Sequence, residues 1–275
     1  MALANLTRPN AVVVEAFVEN CNAEVYLNDI PLGRIFGDGV RNPNLGLTFN
    51  DYATQGPNTR EIVVEPGDTP SVARTQGSSR DTGGMTAAAR VSLYPPGLAI
   101  GEPGFRELQL VSFVGDGNAR QFPYAVSAEV SIPTNFPEWE WERAPVLTLN
   151  AALVQEATQF LADFRRVYLH RDLAAQNALS ELYMQEGCLA LGEDFRERRA
   201  MINDLLTGMW QSPGWDMEPL EPDTFDFRLC AKGRLLQCIS KTWQPVVSTT
   251  RDEEGERLTF PLFLGRVNGR LAWLR

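Results

Sequence analysis

A chain of 275 residues with 44% hydrophobic and 22% charged side chains buries a substantial core and has room for one large or two ordinary domains. Its 25 basic residues against 35 acidic ones give a net charge of −10, which argues against a phosphate-backbone binder, because such proteins concentrate cationic surface. Residues 1–10 lack the apolar core of an export signal and no later run approaches a membrane span, so the expected location is cytoplasmic, with neither membrane nor nucleic acid as partner.

Strand signals come first along the chain. Residues 11–18 are valine-rich, residues 20–22 break the run, and 23–27 with 30–36 form a hairpin about Asn28-Asp29. Glycine, asparagine and proline mark 37–44 as a loop, 45–49 as a short strand follows, and 60–65 is a strand closed by Pro66-Gly67. Residues 74–86, RTQGSSRDTGGMT, carry almost no apolar side chain and are expected as a mobile surface loop or a loop that orders on a partner. Three more strands are expected at 89–94, 105–114 and 125–132, separated by glycine- and proline-rich breakers. Short strands at regular spacing, without a helical period, predict a β-sandwich, jelly-roll or Ig-like, over residues 1–132. The order of EVYLNDIPLG, a variable loop and QGPNTREIVVEPG resembles the galactose-binding-like and related jelly-roll sandwiches over residues 11–66, which implies a binding or docking module.

Three prolines exclude a regular helix from 131–145, so residues 133–147 are expected as a linker. In an extended linker Trp139 and Trp141 share one parity and point the same way, either pinning the linker onto the chain's own domains or anchoring another protein; they are the candidate partner-binding residues.

Helical periodicity then takes over. Leu149, Leu153, Ala157, Phe160, Leu161, Phe164 and Tyr168 form one apolar stripe, His170-Arg171-Asp172 ends the helix, and Asp172 caps a second that Gly187 stops. A third runs from about Glu193 to Trp210, with Phe195, Ile202, Leu205, Leu206 and Met209 as its expected buried side. Alternation at Phe225, Phe227 and Leu229, a Lys232-Gly233 turn, and an Asn268-Gly269 turn between 262–267 and 270–274 predict a closing antiparallel sheet. The charged segment 251–256 is expected at a solvated hairpin tip. The fold class is therefore α+β in two domains, the second spanning 148–275 with three helices packed on a curved sheet. That element order resembles the nuclear transport factor 2-like (NTF2-like) cone fold, which implies an apolar cavity; Tyr168, Trp210, Trp215, Phe225, Trp243 and Phe263 are the candidate cone lining.

Function is read from what could act there. Cys21, Cys188, Cys230 and Cys238 show neither C-x-x-C spacing nor a histidine cluster, so no metal, cofactor or redox motif is expected, and a two-residue turn at Lys232-Gly233 sets Cys230 opposite Leu235, off register for a bridge to Cys238. The single histidine, His170, is expected as a surface residue at a helix end, and Asp163, Asp223 and Asp226 are the other base candidates. With no second group at a recognisable spacing, a non-catalytic adaptor or chaperone is the favoured expectation. As a whole the chain resembles the accessory chaperones or co-chaperones of bacterial type VI secretion effectors, which implies a protein partner: an effector, a toxin or a co-chaperone. An immunity-type inhibitor and a cone-fold isomerase or dehydratase are the alternatives.

Overall fold

The structure, a computed structural model, describes residues 8–37, 47–75, 77–251 and 254–275. Most of the loop expected at 37–44, the start of the strand expected at 45, residue 76 of the 74–86 stretch and residues 252 and 253 of the charged tip lie outside the described residues. The chain is mixed α and β, strands first and helices with sheets afterwards, and it divides into two compact units: Met1–Trp139 with Ala190–Gly192, and Glu140–Leu189 with Glu193–Arg275.

The first unit holds β1 (Ala11–Glu19), β2 (Ala23–Leu27), β3 (Ile30–Ile35), β4 (Leu47–Thr48), β5 (Gly56–Val64), β6 (Ser78–Asp81), β7 (Thr86–Tyr94), β8 (Arg106–Val114), β9 (Ala119–Phe122) and β10 (Tyr124–Ile132). They form two four-stranded antiparallel sheets, β4-β1-β7-β8 and β10-β5-β2-β3, and a β6-β9 ribbon. Register explains the sandwich. Val18 lies opposite Ala87, Ala16 opposite Ala89, Val14 opposite Val91 and Val12 opposite Leu93, so one parity of β1 and β7 forms a continuous buried face. In the other sheet Val25 opposes Ile62 and Ala23 opposes Val64, all fully buried.

Polar groups tie the sandwich ends. Asn28 and Asp29 adopt φ of 53° and 65°, the left-handed pair that a two-residue hairpin turn requires. Asn28 donates from Nδ2 to Asn58 Oδ1 at 2.7 Å and to the Tyr52 carbonyl at 2.8 Å, which joins the two stretches whose order carries the jelly-roll resemblance. Asn58, fully buried, also accepts from the Thr54 amide at 2.7 Å and donates to the Thr54 and Gly56 carbonyls, each at 3.0 Å. Arg60 points between the sheets with no exposed surface, donating through Nη1 to the Gln109 carbonyl at 2.5 Å, and burial pulls its pKa down to about 10. That carbonyl is available because β8 carries a bulge: Gln109 opposes Val91 while Glu107 opposes Ser92.

Residues 74–86 correct the expectation of a mobile loop. Arg74 bridges Asp29 at 2.5 Å and Glu61 at 2.7 Å, its guanidinium 3.9 Å above the Tyr26 ring, and Ser78–Asp81 then pairs with Ala119–Phe122. The ribbon is exposed and polar throughout β6, so hydrophobic alternation carries no trace of it.

The second unit begins with the short helix α1 (Glu140–Arg143), then α2 (Ala151–Leu169), α3 (Leu173–Leu179), α4 (Glu181–Leu191), whose last two residues are assigned to the first unit, and α5 (Phe195–Trp210). Asn150, Asp172 and Asp194 cap α2, α3 and α5 through side-chain oxygens that accept from backbone amides. The second expected helix is two. The chain breaks at Ser180, whose buried hydroxyl accepts from Gln176 at 3.3 Å, while Gly187 stays inside α4 and the left-handed Gly192, φ 65°, follows its end.

Strands β11 (Arg228–Cys230), β12 (Leu235–Cys238), β13 (Val247–Ser248), β14 (Thr259–Phe260), β15 (Leu262–Val267) and β16 (Arg270–Trp273) close the chain. They form a β11-β12-β15-β16 sheet and a β13-β14 ribbon, all antiparallel. Cys230 faces Leu235, as the turn at Lys232-Gly233 predicts, and all four cysteines are buried thiols outside any disulfide. Asn268 at φ 49° and Gly269 at φ 80° turn the last hairpin. The expected half-buried alternation at 225–231 fails at its start: Phe225 only bridges Ser240, and within β11 Arg228 and Cys230 are buried while Leu229 is partly exposed. Leu153, Ala157, Leu161, Phe164 and Tyr168 of α2 pack with Leu206 and Trp210 of α5 and with Leu236, Leu262, Leu264 and Trp273 of the sheet.

Candidate protein-binding face

Helix α5 carries two apolar stripes. Ile202, Leu206 and Trp210 recur at four-residue spacing and face the core, with Leu206 and Trp210 buried. Met201, Leu205 and Met209 recur at the same spacing about 100° away around the helix. Leu205 is 56% exposed and Met201 48%, which corrects the expectation that Leu205 is buried: the core takes one stripe and leaves Met201 and Leu205 of the other in solvent, with Met209 half-buried.

The exposed stripe leads into a groove of about 590 Å³. Met209, Trp215 and Leu258 supply its apolar surface and the backbone of residues 212–214 turns around it. Trp215 is held on two sides: its Nε1 donates to the Tyr168 carbonyl at 3.3 Å and its ring meets Trp210 edge-on at 6.4 Å. Asp216, Glu254 and Glu256 also line the groove, against one cation, Arg257, whose Nη2 donates to Gln244 at 3.3 Å. The local balance is acidic. An apolar floor with a carboxylate rim suits a segment that brings apolar and basic side chains together.

Four of the six candidate cone-lining residues, Tyr168, Trp210, Trp215 and Phe225, belong to or pack against one core cluster. Tyr168 stacks on Phe164 at 4.8 Å, approaches Phe260 at 4.6 Å and meets Trp210 edge-on at 6.1 Å, so Tyr168 and Trp210 fill the core between helices and sheet. Burial there pushes the Tyr168 phenol up to about 12. Phe225 packs edge-on against Phe227 at 5.7 Å, and Trp243, at φ 65°, lies 5.4 Å from the Arg228 guanidinium. Phe263 is buried on the parity opposite Leu262 and Leu264, on the other face of the sheet from the helix-packed core. Of the six, Tyr168 and Trp210 lie in the core between helices and sheet, and Trp215 and Phe225 pack against it.

Trp139 and Trp141 are both buried, at 0% and 5% exposure. Trp139 donates from Nε1 to the Ala53 carbonyl at 2.7 Å and tilts against Phe136 at 5.6 Å. Trp141 lies inside α1, so the pair does not sit on the extended linker that their expected common direction requires. The base candidates are dispersed as well. Asp163 is 39% exposed in its side chain, paired with Arg166 at 2.9 Å and accepting from Gln159 at 3.1 Å, His170 is exposed at the end of α2, Asp223 is exposed, and the Asp226 amide donates to the Ile239 carbonyl at 2.9 Å.

Among the described residues no cluster of three or more metal-binding side chains occurs, and no helix is long and apolar enough to cross a membrane. Comparison with protein-family models, with curated proteins and with solved structures finds no match for the chain.

Proposed function

We propose that this protein is a non-catalytic interaction factor, an adaptor or chaperone that holds a partner protein against the α5 face of its second unit. The observation that carries the reading is the second apolar stripe, Met201, Leu205 and Met209, running into the Trp215–Leu258 groove. Leaving two large apolar side chains half exposed at one-turn spacing forgoes about half of the full burial gain, roughly 1 kcal/mol for each, a loss that a bound segment recovers. The occupant is a partner segment with apolar side chains on one side and lysine or arginine beside them, because Asp216, Glu254 and Glu256 outnumber Arg257 along the groove. A cationic amphipathic helix has that form, with anchors repeating every three or four residues.

The wider reading follows from the resemblances. An NTF2-like arrangement of the second unit suits a domain used for association, and a chaperone or co-chaperone of a type VI secretion effector would meet such a segment in the cytoplasm before the effector is loaded. Asp163 within α2 and His170 just past its end, both accessible to solvent and not brought together, give less support to an isomerase or dehydratase.

Site-specific photo-cross-linking tests this reading. A photoreactive residue at position 205 is expected to give one dominant cross-linked protein in cells, and the same residue at exposed position 221 none. Equal yields from both positions, or none from 205, would remove the α5 face as the docking surface.

A further inference from the structure

Sulfur is divided unevenly between core and surface. Cys21, Cys188, Cys230 and Cys238 are 2%, 4%, 2% and 2% exposed, and the Sγ atoms of Cys21 and Cys230 lie 3.4 Å and 3.6 Å from the Thr86 and Leu235 carbonyl oxygens. Burial pushes the Cys21 thiol up to about 11 and raises Cys188 and Cys238 as well, so these three hold almost no thiolate at neutral pH. The methionines differ. Met184 and Met217 are buried, at 8% and 1%, and Met85 is half-buried in the first unit, while Met1 lies outside the described residues. Met201 is 48% exposed, and Met209 is half-buried where it lines the groove. Among the described residues, the accessible sulfur of the second unit is therefore confined to the outer stripe of α5.

We propose that Met201 and Met209 form an oxidation switch, in which a hydroperoxide converts their thioethers to sulfoxides and so releases the partner held on α5. The release rests on the docking reading above; the selective oxidation does not. In each step a sulfur lone pair attacks the terminal oxygen of the hydroperoxide, the S–O bond forms and the O–O bond breaks. The proton of the transferred hydroxyl passes to the departing oxygen, which leaves as water or an alcohol. Sulfur loses two electrons and the hydroperoxide gains them.

Position gives the chemistry its effect. A thioether is apolar and adapts to the surface laid on it, whereas a sulfoxide carries an acceptor oxygen that needs a hydrogen bond. In the free chain water supplies that bond, and the core stripe of Leu206 and Trp210 is not touched. Under an apolar partner side chain the oxygen is stranded. Met201 and Met209 stand eight residues and about 12 Å apart along the helix, on either side of Leu205. A segment that covers Leu205 and reaches the Trp215–Leu258 groove therefore lies over Met209. Sulfoxide reductases reverse the change, so the modification acts as a switch rather than as damage.

Treatment of the full chain with hydrogen peroxide, read by peptide mass mapping and by the cross-link from position 205, tests both parts. Met201 and Met209 are expected to gain one oxygen each about tenfold faster than Met184 and Met217, with the four thiols unmodified until the chain is denatured. The cross-link is expected to fall about tenfold on the oxidised parent and to return after treatment with sulfoxide reductases of both epimer specificities. Read against its own untreated form, Met201→Leu/Met209→Leu is expected not to respond to peroxide, while Met85→Leu responds as the parent does. The switch is overturned if thiols or buried methionines react first, if the oxidised parent keeps its cross-link, if the reductases do not restore it, or if the double leucine variant responds as the parent does. A reduced parent without a cross-link removes the docking reading and the switch with it, whereas a cross-link that survives oxidation removes the switch alone.

Discussion

Asn58 shows how much structure one side chain supports. It is fully buried and satisfied at both ends of its amide, by the Thr54 amide and Asn28 on one side and by the Thr54 and Gly56 carbonyls on the other. Asn58→Ala leaves the Thr54 amide without its acceptor and is expected to cost about 3 kcal/mol in chemical denaturation. Asn58→Asp is expected to cost more at neutral pH, because it removes both donations and puts a carboxylate beside two carbonyls. Tyr168 makes a prediction in pH. Its phenol ionises near 10 when unfolded and only at about 12 in the fold, so its contribution is complete below pH 10 and is lost as pH rises from 10 toward 12. Stability measured between pH 9 and 11.5 is expected to fall less steeply in Tyr168→Phe than in the parent; parallel curves would contradict the assignment. At this scale the sequence was uneven as a guide. Asn28 and the Gly56-Pro57-Asn58 stretch stood out as turn chemistry, but that they bond each other across thirty residues depends on the pairing of β2 with β5, which no local pattern encodes.

Elements were legible where one periodicity dominated. The hairpin at Asn28-Asp29, the hairpin at Asn268-Gly269 and the buried stripe of α2 follow from alternation, left-handed turn residues and four-residue spacing. The β6-β9 ribbon did not, because its stability comes from backbone pairing and charged neighbours such as Arg80 with Glu65 at 2.8 Å. The break between α3 and α4 was equally silent, since Ser180 acts there through a buried hydrogen bond to Gln176. Helix α5 was legible as a helix and misread as a surface: its two apolar stripes look equivalent in sequence, and only packing decides which one is buried. Gly115 carries a prediction at this scale. A Cβ on it would stand 1.8 Å from the Thr82 carbonyl oxygen, backbone against backbone at the end of β8. Gly115→Ala is therefore expected to lower stability by about 2–3 kcal/mol or more and to loosen the Thr82–Asp116 contact, seen as faster amide exchange at 82 and 116.

For the whole molecule, the proposed partner segment would be basic, to suit the net charge of −10 and the acidic groove beside α5, and the exposed Met201–Leu205 stripe would make the contact more than electrostatic. The two contributions respond differently to salt: screening weakens attraction between exposed charges beyond about 8–10 Å and leaves apolar burial in place. Affinity purification of the tagged chain in parallel with Met201→Glu/Leu205→Glu, with washes at low and high salt and sizing of the eluate, tests the central claim most directly. The account predicts one partner in fixed stoichiometry on the parent, reduced but retained at high salt, cross-linking to position 205, and absent from the folded double variant. Recovery of the parent chain alone, or equal retention of the partner by the double variant, would contradict it.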